Sequence, residues 1–169
     1  MVIMKYAIIE NGVVVNIAKA DAPLAYNWVG AGGARIGDLW DGQAFTPPAP
    51  PPPTTDDVNA ERARRLVAGT TVTVTGHGPV ALSGRDEDTR NLQGLAFAAQ
   101  LRLSQGDTTH QTTFRDAENA DHVLTPAQVL EMWSLGSAWI EQVYAASWAL
   151  KDTQGGIPAD YANDGYWPQ

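Results

Sequence analysis

Histidines and carboxylates near the middle of this 169-residue sequence are the first candidates for chemistry. His110, Asp116, Glu118, Asp121 and His122 lie close together in the sequence and have side chains that bind metal ions. Their spacing matches no metal-binding template, because residues 116–121 lack the glycine and the distant glutamate of an EF-hand loop. Carboxylates and asparagine are also ordinary residues of a turn. We therefore predict a hairpin loop here and no metal site.

A second set, His77, Ser83 and Asp86, could be drawn as a hydrolytic triad. However, residues 76–79 are typical of a turn, and Ser83 lacks the strand-to-helix elbow that exposes a nucleophilic serine. The acidic run 86–88 could bind a cation, but it is also typical of a solvated connector before a helix. The sequence contains no GxGxxG, Walker A, GxSxG or HExxH motif. We predict that the protein is not an enzyme and has no cofactor.

The aromatic residues are the third candidate set, with six tryptophans and five tyrosines. Tryptophan can pack in a core, stack on a sugar or contact a partner subunit, where it is enriched. We favour core packing for the tryptophans of one long C-terminal helix. The aromatic residues near the C-terminus either fold back on the chain or dock on a partner. The residues that we assign to partner binding are Trp28, Trp40, Tyr161, Tyr166 and Trp167.

Composition narrows the class of protein. The formal net charge is −8, which argues against binding to nucleic acid or to an anionic membrane surface. The chain has no cysteine, which excludes disulfides and thiolate metal sites. No apolar stretch approaches the roughly 18 residues that span a bilayer, and the N-terminus lacks the pattern of a signal peptide. We expect a soluble product that is made in the cytoplasm.

The prolines divide the chain, because six of the eleven lie between Pro47 and Pro53. Such a run favours the stiff polyproline II conformation and predicts a spacer. We predict an α+β protein in four parts: a β module at 1–46, a linker at 47–54, an α+β domain at 55–152 and an aromatic tail at 153–169. Nearly all of the net charge lies beyond the spacer.

The N-terminal part has the pattern of short strands. Asn11-Gly12 separates two runs of β-forming residues, 3–9 and 13–17, and this dipeptide is the strongest short-range signal for a hairpin. Asp41-Gly42 predicts a second turn between 36–40 and 43–46. Residues 21–28 could hold one helical turn that Asp21 caps. We predict a meander of three or four strands.

The part beyond the spacer predicts three helices and two short hairpins. The hairpin strands fall at 71–75 with 80–83 and at 111–115 with 122–124. The third helix has the strongest start signal, because Thr125, Pro126 and Gln128 form a capping box with proline at the first helical position. We predict that this helix runs to Lys151 and packs on its own domain.

The other two helices have weaker boundary signals. The first is predicted to follow a cap at Thr55, Asp56 or Asp57 and to end at Gly69. Its exposed face is predicted to carry four charged residues: Glu61, Arg62, Arg64 and Arg65. The second is predicted to begin after a cap at Asp88 or Thr89, with an apolar stripe of Leu92, Leu95, Ala99 and Leu103.

Several of these segments resemble a known family. YAIIENGVV at 6–14 and IGDLWDGQAFTPP at 36–48 resemble the N-terminal segment of tailed-bacteriophage tail proteins of the tail-fibre or tail-fibre-assembly type. A domain of unknown function often follows that segment, and the matching pieces here are VNAERARR at 58–65, RNLQG at 90–94, DAEN at 116–119 and LTPAQ at 124–128. The resemblance covers most of residues 5–151, whereas the tail from Gly155 onward matches no such pattern.

The resemblance implies a structural component of a phage-like tail, at the fibre or the baseplate, in a virion whose proteins are made in the host cytoplasm. Its partners would be other phage tail proteins, and a homo-oligomer is possible. It carries no catalytic residues to transfer. Two alternatives stay open: a tail-fibre assembly chaperone that does not stay in the particle, and a carbohydrate-binding receptor module.

We expect residues 1–46 expressed alone to be unfolded or aggregated. A body of this size without a disulfide or a metal rarely has more than about 3–5 kcal/mol of net stability. Thermal unfolding followed by circular dichroism tests this expectation. A cooperative transition in the fragment would show that the module needs no neighbour.

Overall fold

The structure, a computed structural model, describes residues 3–169, so Met1 and Val2 lie outside the described residues. The chain divides into two compact units between Pro51 and Pro52. The predicted α+β class is confirmed, because a β-rich N-terminal region is followed by three helices and two antiparallel hairpins. Among residues 3–169, no helix is long and apolar enough to cross a membrane.

The N-terminal unit is a five-stranded antiparallel sheet. Its strands are β1 (Met4–Glu10), β2 (Val13–Ala20), β3 (Trp28–Gly30), β4 (Leu39–Trp40) and β5 (Phe45–Thr46), in the order β3-β1-β2-β4-β5. The turn between β1 and β2 is where the sequence predicts it. Asn11 and Gly12 have φ of 50° and 76°, a left-handed conformation that asparagine and glycine tolerate best.

Two predictions for this unit are wrong. Five strands form instead of three or four, and they are not a simple meander, because β3 returns to the free side of β1. Residues 21–27 form bends and turns with no helical turn. The reason is tertiary pairing: the amide of Ile9 donates to the carbonyl of Asn27 over 3.0 Å, and Trp28 pairs with Ile8. Because residues 27 and 28 pair with β1 in extended conformation, this segment does not form a helical turn.

The hydrophobic core of the N-terminal unit is small. Its buried members are Ala7, Val14 and Ala31, and Ile17, Ala34 and Phe45 pack partly buried against them. Three side chains of this size remove little apolar surface from water, so this core contributes little to the free energy of unfolding.

The second unit contains three helices and two hairpins, with no regular structure assigned in the proline run before it. Its elements are α1 (Thr55–Ala68), β6 (Thr70–Val74), β7 (Gly78–Leu82), α2 (Asp86–Ser104), β8 (Thr112–Arg115), β9 (Asp121–Leu124), α3 (Pro126–Lys151) and a 3₁₀ turn (Asp164–Tyr166). Strand β6 pairs with β7 and β8 with β9, as predicted.

Helix α3 has the boundaries that the sequence predicts. Thr125 caps it, Gln128 completes the capping box and Lys151 is its last residue. Its buried stripe packs inside the unit, as predicted. Gly136 belongs to this stripe, and a Cβ there would lie 2.9 Å from the Leu82 side chain, so glycine allows α3 to approach β7 closely.

Two hydrophobic clusters form the core of the second unit, and α3 contributes to both. The first joins the two hairpins to α2 and the first half of α3; its buried members are Val72, Val74, Val80, Leu82, Ala99, Leu124, Val129 and Met132. The second joins α1, the rest of α3 and the C-terminal segment; its buried members are Val58, Trp139, Val143, Leu150 and Trp167.

The structure corrects the predicted boundaries of α1 and α2. Thr54 caps α1, one residue earlier than predicted, because the Asp57 side chain reaches back to the Thr54 amide over 2.7 Å. Gly69 ends the helix as predicted. Helix α2 begins at Asp86, so the run taken as a connector is its first turn, where acidic side chains interact favourably with the free amides.

The predicted exposed face of α1 is also wrong in part. Glu61 and Arg65 are buried, whereas Arg64 is exposed and Arg62 is intermediate. Glu61 pairs with Arg65 over 2.7 Å, and Arg65 also donates to the carbonyl of Ala162 in the C-terminal segment, so both buried charges have partners. Burial of a charged pair is tolerated when each partner is neutralised and hydrogen-bonded.

We expect Trp167→Ala to lower the free energy of unfolding by about 3–5 kcal/mol, because the change leaves a cavity in the second cluster. Chemical denaturation followed by circular dichroism measures the effect. Trp148→Ala is the matched control: Trp148 is 56% exposed on α3, so its loss should cost only about 0.5 kcal/mol. Equal effects would mean that the C-terminal segment does not pack in solution as it does here.

Candidate functional site

The two N-terminal tryptophans predicted to bind a partner lie apart in the sheet. Trp28 is on β3, with its ring 6.1 Å from that of Tyr6. Trp40 is on β4, with its ring 4.4 Å from that of Phe45. Strands β1 and β2 separate β3 from β4, so the two rings do not form one aromatic surface. Both tryptophans are half-buried.

Exposed apolar side chains of the N-terminal unit are more numerous than its buried ones. Tyr26 is 101% exposed, Leu24 is 73% exposed and Ile36 is 64% exposed. Ile3, Met4, Val15 and Leu39 are also more than a third exposed. Sequence reasoning missed this set, since each residue alone looks like a candidate for the core.

Part of this exposed apolar surface lies on one face of the sheet. Met4, Tyr6 and Ile8 alternate along β1 and therefore point to the same side, where Trp28 lies opposite Ile8. Tyr6 is buried, whereas Met4 is 48% exposed. The core residues Ala7 and Val14 lie on the other side.

The C-terminal aromatic residues fold back, which is one of the two alternatives that the sequence left open. Trp167 is buried in the second cluster, and its indole N–H donates to the carbonyl of Tyr161 over 2.8 Å. Tyr161 packs partly buried against the same cluster. Tyr166 stays 42% exposed, with its hydroxyl 3.2 Å from the Asp160 carboxylate. Of these three residues, Tyr166 presents the most surface to a partner.

Arg65 holds the C-terminal segment on α1. Its guanidinium donates to Glu61 and to Asp164 over 2.7 Å each, and to the carbonyl of Ala162 over 2.9 Å. The same group lies 5.1 Å from the centre of the Trp167 ring, within the range of a cation–π contact. Hydrogen bonds from Arg64 and Arg65, together with their positive charge, lower the pKa of Glu61.

A chain of three polar side chains connects the two hairpins. His77, in the β6–β7 turn, places its Nε2 2.8 Å from Nδ1 of His122 on β9. Nε2 of His122 lies 3.0 Å from the buried carboxylate of Asp116. Asp116 also accepts the amides of Glu118 and Ala120 over 2.9 and 2.8 Å. The hydrogen bond from His122, supported by the backbone amides, lowers the pKa of Asp116 to about 2.

The other residues weighed for chemistry are placed elsewhere. Ser83 follows β7 at the end of the hairpin opposite to His77, and its hydroxyl accepts from Arg85 over 3.0 Å. Asp121 pairs with Arg115 over 2.7 Å, across the predicted hairpin loop. Among residues 3–169, no three or more His, Asp or Glu side chains converge to hold a metal ion. Sequence reasoning missed the pairing of His77 with His122, which depends on how two separate hairpins pack.

Comparison with known sequences places this second unit in a family. The sequence model of a domain of unknown function, DUF4376, matches residues 51–164. The chain belongs to the DUF4376 family. The match includes the C-terminal segment as far as Asp164, so it extends past Gly155, where the motif resemblance ends. No curated protein matches the chain.

We expect Asp116→Asn to destabilise the protein at neutral pH and to have little effect near pH 2. The pKa of Asp116 falls from 3.8 to about 2 on folding, so its stabilising contribution is complete above about pH 4. That contribution is lost as the pH falls through about 2, where the folded state also becomes protonated.

Thermal unfolding of both proteins between pH 2 and pH 7 measures this dependence. Glu141→Gln, at an exposed position of α3, controls for the loss of one negative charge. A difference between Asp116→Asn and the wild type that does not change with pH would contradict the role of the ionised carboxylate.

Proposed function

We propose that this protein is a non-catalytic structural component of a phage-like tail, at the fibre or baseplate, and that it acts by docking on other tail proteins. The resemblance of segments 6–14 and 36–48 to phage tail proteins supports the tail assignment. The DUF4376 family adds no activity, because its domain has no known function. In this proposal the protein resides in the virion tail after synthesis in the host cytoplasm.

The observation that carries the docking role is the distribution of apolar side chains in the N-terminal unit. Seven large apolar side chains of this unit are more than a third exposed, whereas the buried members of its hydrophobic cluster are Ala7, Val14 and Ala31. Exposed apolar surface of this kind marks sites of protein–protein contact. A partner that covers it would also supply the stability that the small core lacks.

The ends of the sheet offer a second means of contact. Strands β3 and β5 are the edge strands and are three and two residues long. An edge strand presents unpaired backbone groups that a strand of a neighbouring protein can extend. Trp28 lies on one edge strand and Trp40 lies beside the other, so side-chain and backbone contacts would reinforce each other.

The second unit contributes a body with its own core and an acidic surface. Its exposed aromatic residues include Phe97 on α2, which is 74% exposed, and Trp148 on α3. These residues and Tyr166 are candidate contacts with a further tail subunit or with a second copy of the chain. Negative charge on this unit favours a basic partner surface over a second acidic one.

We expect purified phage or prophage particles to contain this polypeptide at a fixed number of copies per particle. Quantitative mass spectrometry of particles purified by density gradient measures the copy number, with a known tail protein as the reference. Absence from intact particles, with presence in infected cells, would contradict the structural role and favour an assembly chaperone.

A double variant in the N-terminal unit and a control variant in the second unit locate the docking site. The double variant, Leu24→Ser with Tyr26→Ser, should reduce incorporation into particles at least tenfold, with no change in the melting temperature. Leu101→Ser is the matched control, because it removes an exposed leucine side chain of the second unit that is not among the candidate contacts. Equal incorporation of both variants would refute docking through the N-terminal unit.

A further inference from the structure

The rings of His77 and His122 are in direct contact through their nitrogens. These are two of the three histidines in the chain. Their rings are 5.0 Å apart between centres and inclined by 61°, with the nearest nitrogens 2.8 Å apart. His77 is exposed and the His122 side chain is 13% exposed, so an ion from solvent can reach the pair.

Asp116 determines which nitrogen of His122 is free. Nε2 of His122 lies 3.0 Å from the Asp116 carboxylate and forms a hydrogen bond with it. The other ring nitrogen of His122, Nδ1, faces His77. Histidines that bind metals usually donate their other ring N–H to a carboxylate in this way.

We propose that Nε2 of His77 and Nδ1 of His122 bind one divalent transition-metal ion of the copper(II) or nickel(II) class, with Asp116 as the positioning residue. Two nitrogens bound to one ion at about 2.0–2.1 Å are about 2.9 Å apart at a 90° angle and about 3.3 Å apart at the tetrahedral angle. The observed 2.8 Å fits the smaller angle, which square-planar and tetragonal sites use.

The protons balance without any other reactant. In the metal-free protein, one proton lies between Nε2 of His77 and Nδ1 of His122, and either nitrogen can be its donor. The ion takes the place of that proton, which exchanges with water, and in the bound state each neutral ring carries one proton, on Nδ1 of His77 and on Nε2 of His122. Water fills the other coordination positions, since no third His, Asp or Glu converges on the pair within residues 3–169.

Metal binding would join two separate parts of the second unit. His77 belongs to the β6–β7 turn and His122 to β9, and these strands are in different two-stranded sheets. An ion bound by both rings therefore stabilises the packing of one hairpin on the other. Since the unfolded chain does not hold the two rings together, binding raises the stability of the folded protein.

The test is a calorimetric titration of the full-length protein, without an affinity tag and after treatment with a chelator, using copper(II), nickel(II) and zinc(II) chlorides. We expect one equivalent of copper(II) or nickel(II) to bind more tightly than zinc(II). His77→Ala and His122→Ala should each weaken binding at least tenfold. His110→Ala is the matched control and should bind as the wild type does.

Two further measurements separate a metal site from a structural hydrogen bond. Asp116→Asn should weaken binding by about 10–100-fold, as loss of such a carboxylate partner does. Substoichiometric copper(II) should broaden the ring proton signals of His77 and His122 in NMR spectra before those of His110. This measurement uses the wild-type protein and does not depend on whether a variant folds.

Three outcomes would overturn the proposal. One is the absence of binding to the wild-type protein. The second is binding that survives both His77→Ala and His122→Ala, or that His110→Ala abolishes. The third is a preference for zinc(II), which would contradict the right-angled geometry. None of these outcomes bears on the proposed docking function, which rests on the N-terminal unit.

Discussion

The packing of one face of α3 is the constraint on which the second unit depends. Val129 and Met132 complete the first hydrophobic cluster, and Val143 and Leu150 complete the second. Because both clusters share one rigid helix, the hairpins at one end and the C-terminal segment at the other have fixed positions relative to each other. Gly136 lies between the clusters, where a Cβ would be 2.9 Å from the end of the Leu82 side chain, so a larger residue requires Leu82 to shift.

Arg65 extends this organisation to the end of the chain. Trp167 packs in the second cluster together with Val58 and Trp139, so the C-terminal segment completes that cluster. Arg65 fixes that segment by binding Asp164 and the Ala162 carbonyl while Glu61 balances its charge. The family match reaches Asp164, so the two groups of the C-terminal segment that bind Arg65, Ala162 and Asp164, lie within the matched domain, whereas Trp167 follows it.

Local signals in the sequence predicted local structure well. The capping box at Thr125, the Asn11-Gly12 turn and the alternation of Val72 with Val74 each depend on neighbouring residues, and each is present in the structure. The errors concern residues whose partners are distant. The local pattern predicts an exposed Arg65, because its partner Asp164 is 99 positions away. Residues 21–28 carry a cap signal for one helical turn, but their pairing with strand β1 is not encoded in neighbouring residues.

The candidate sites also depend on contacts between residues that are distant in the sequence. Trp28 and Trp40 are similar residues in a small unit, yet the strand order separates them. His77 and His122 are 45 positions apart, and neither has a motif around it that predicts the other. Spacing in the sequence could exclude known metal and hydrolase templates, but it could not show a contact that two hairpins create by packing.

The two units differ in how they satisfy the same physical requirement, which is to remove apolar side chains from water. The second unit does so internally, because its C-terminal segment folds back and buries Trp167 in the second cluster. In the N-terminal unit, three small residues form the core while Leu24, Tyr26 and Ile36 are exposed. The N-terminal unit therefore has much exposed apolar surface for a small core, so it is where docking would stabilise the protein most.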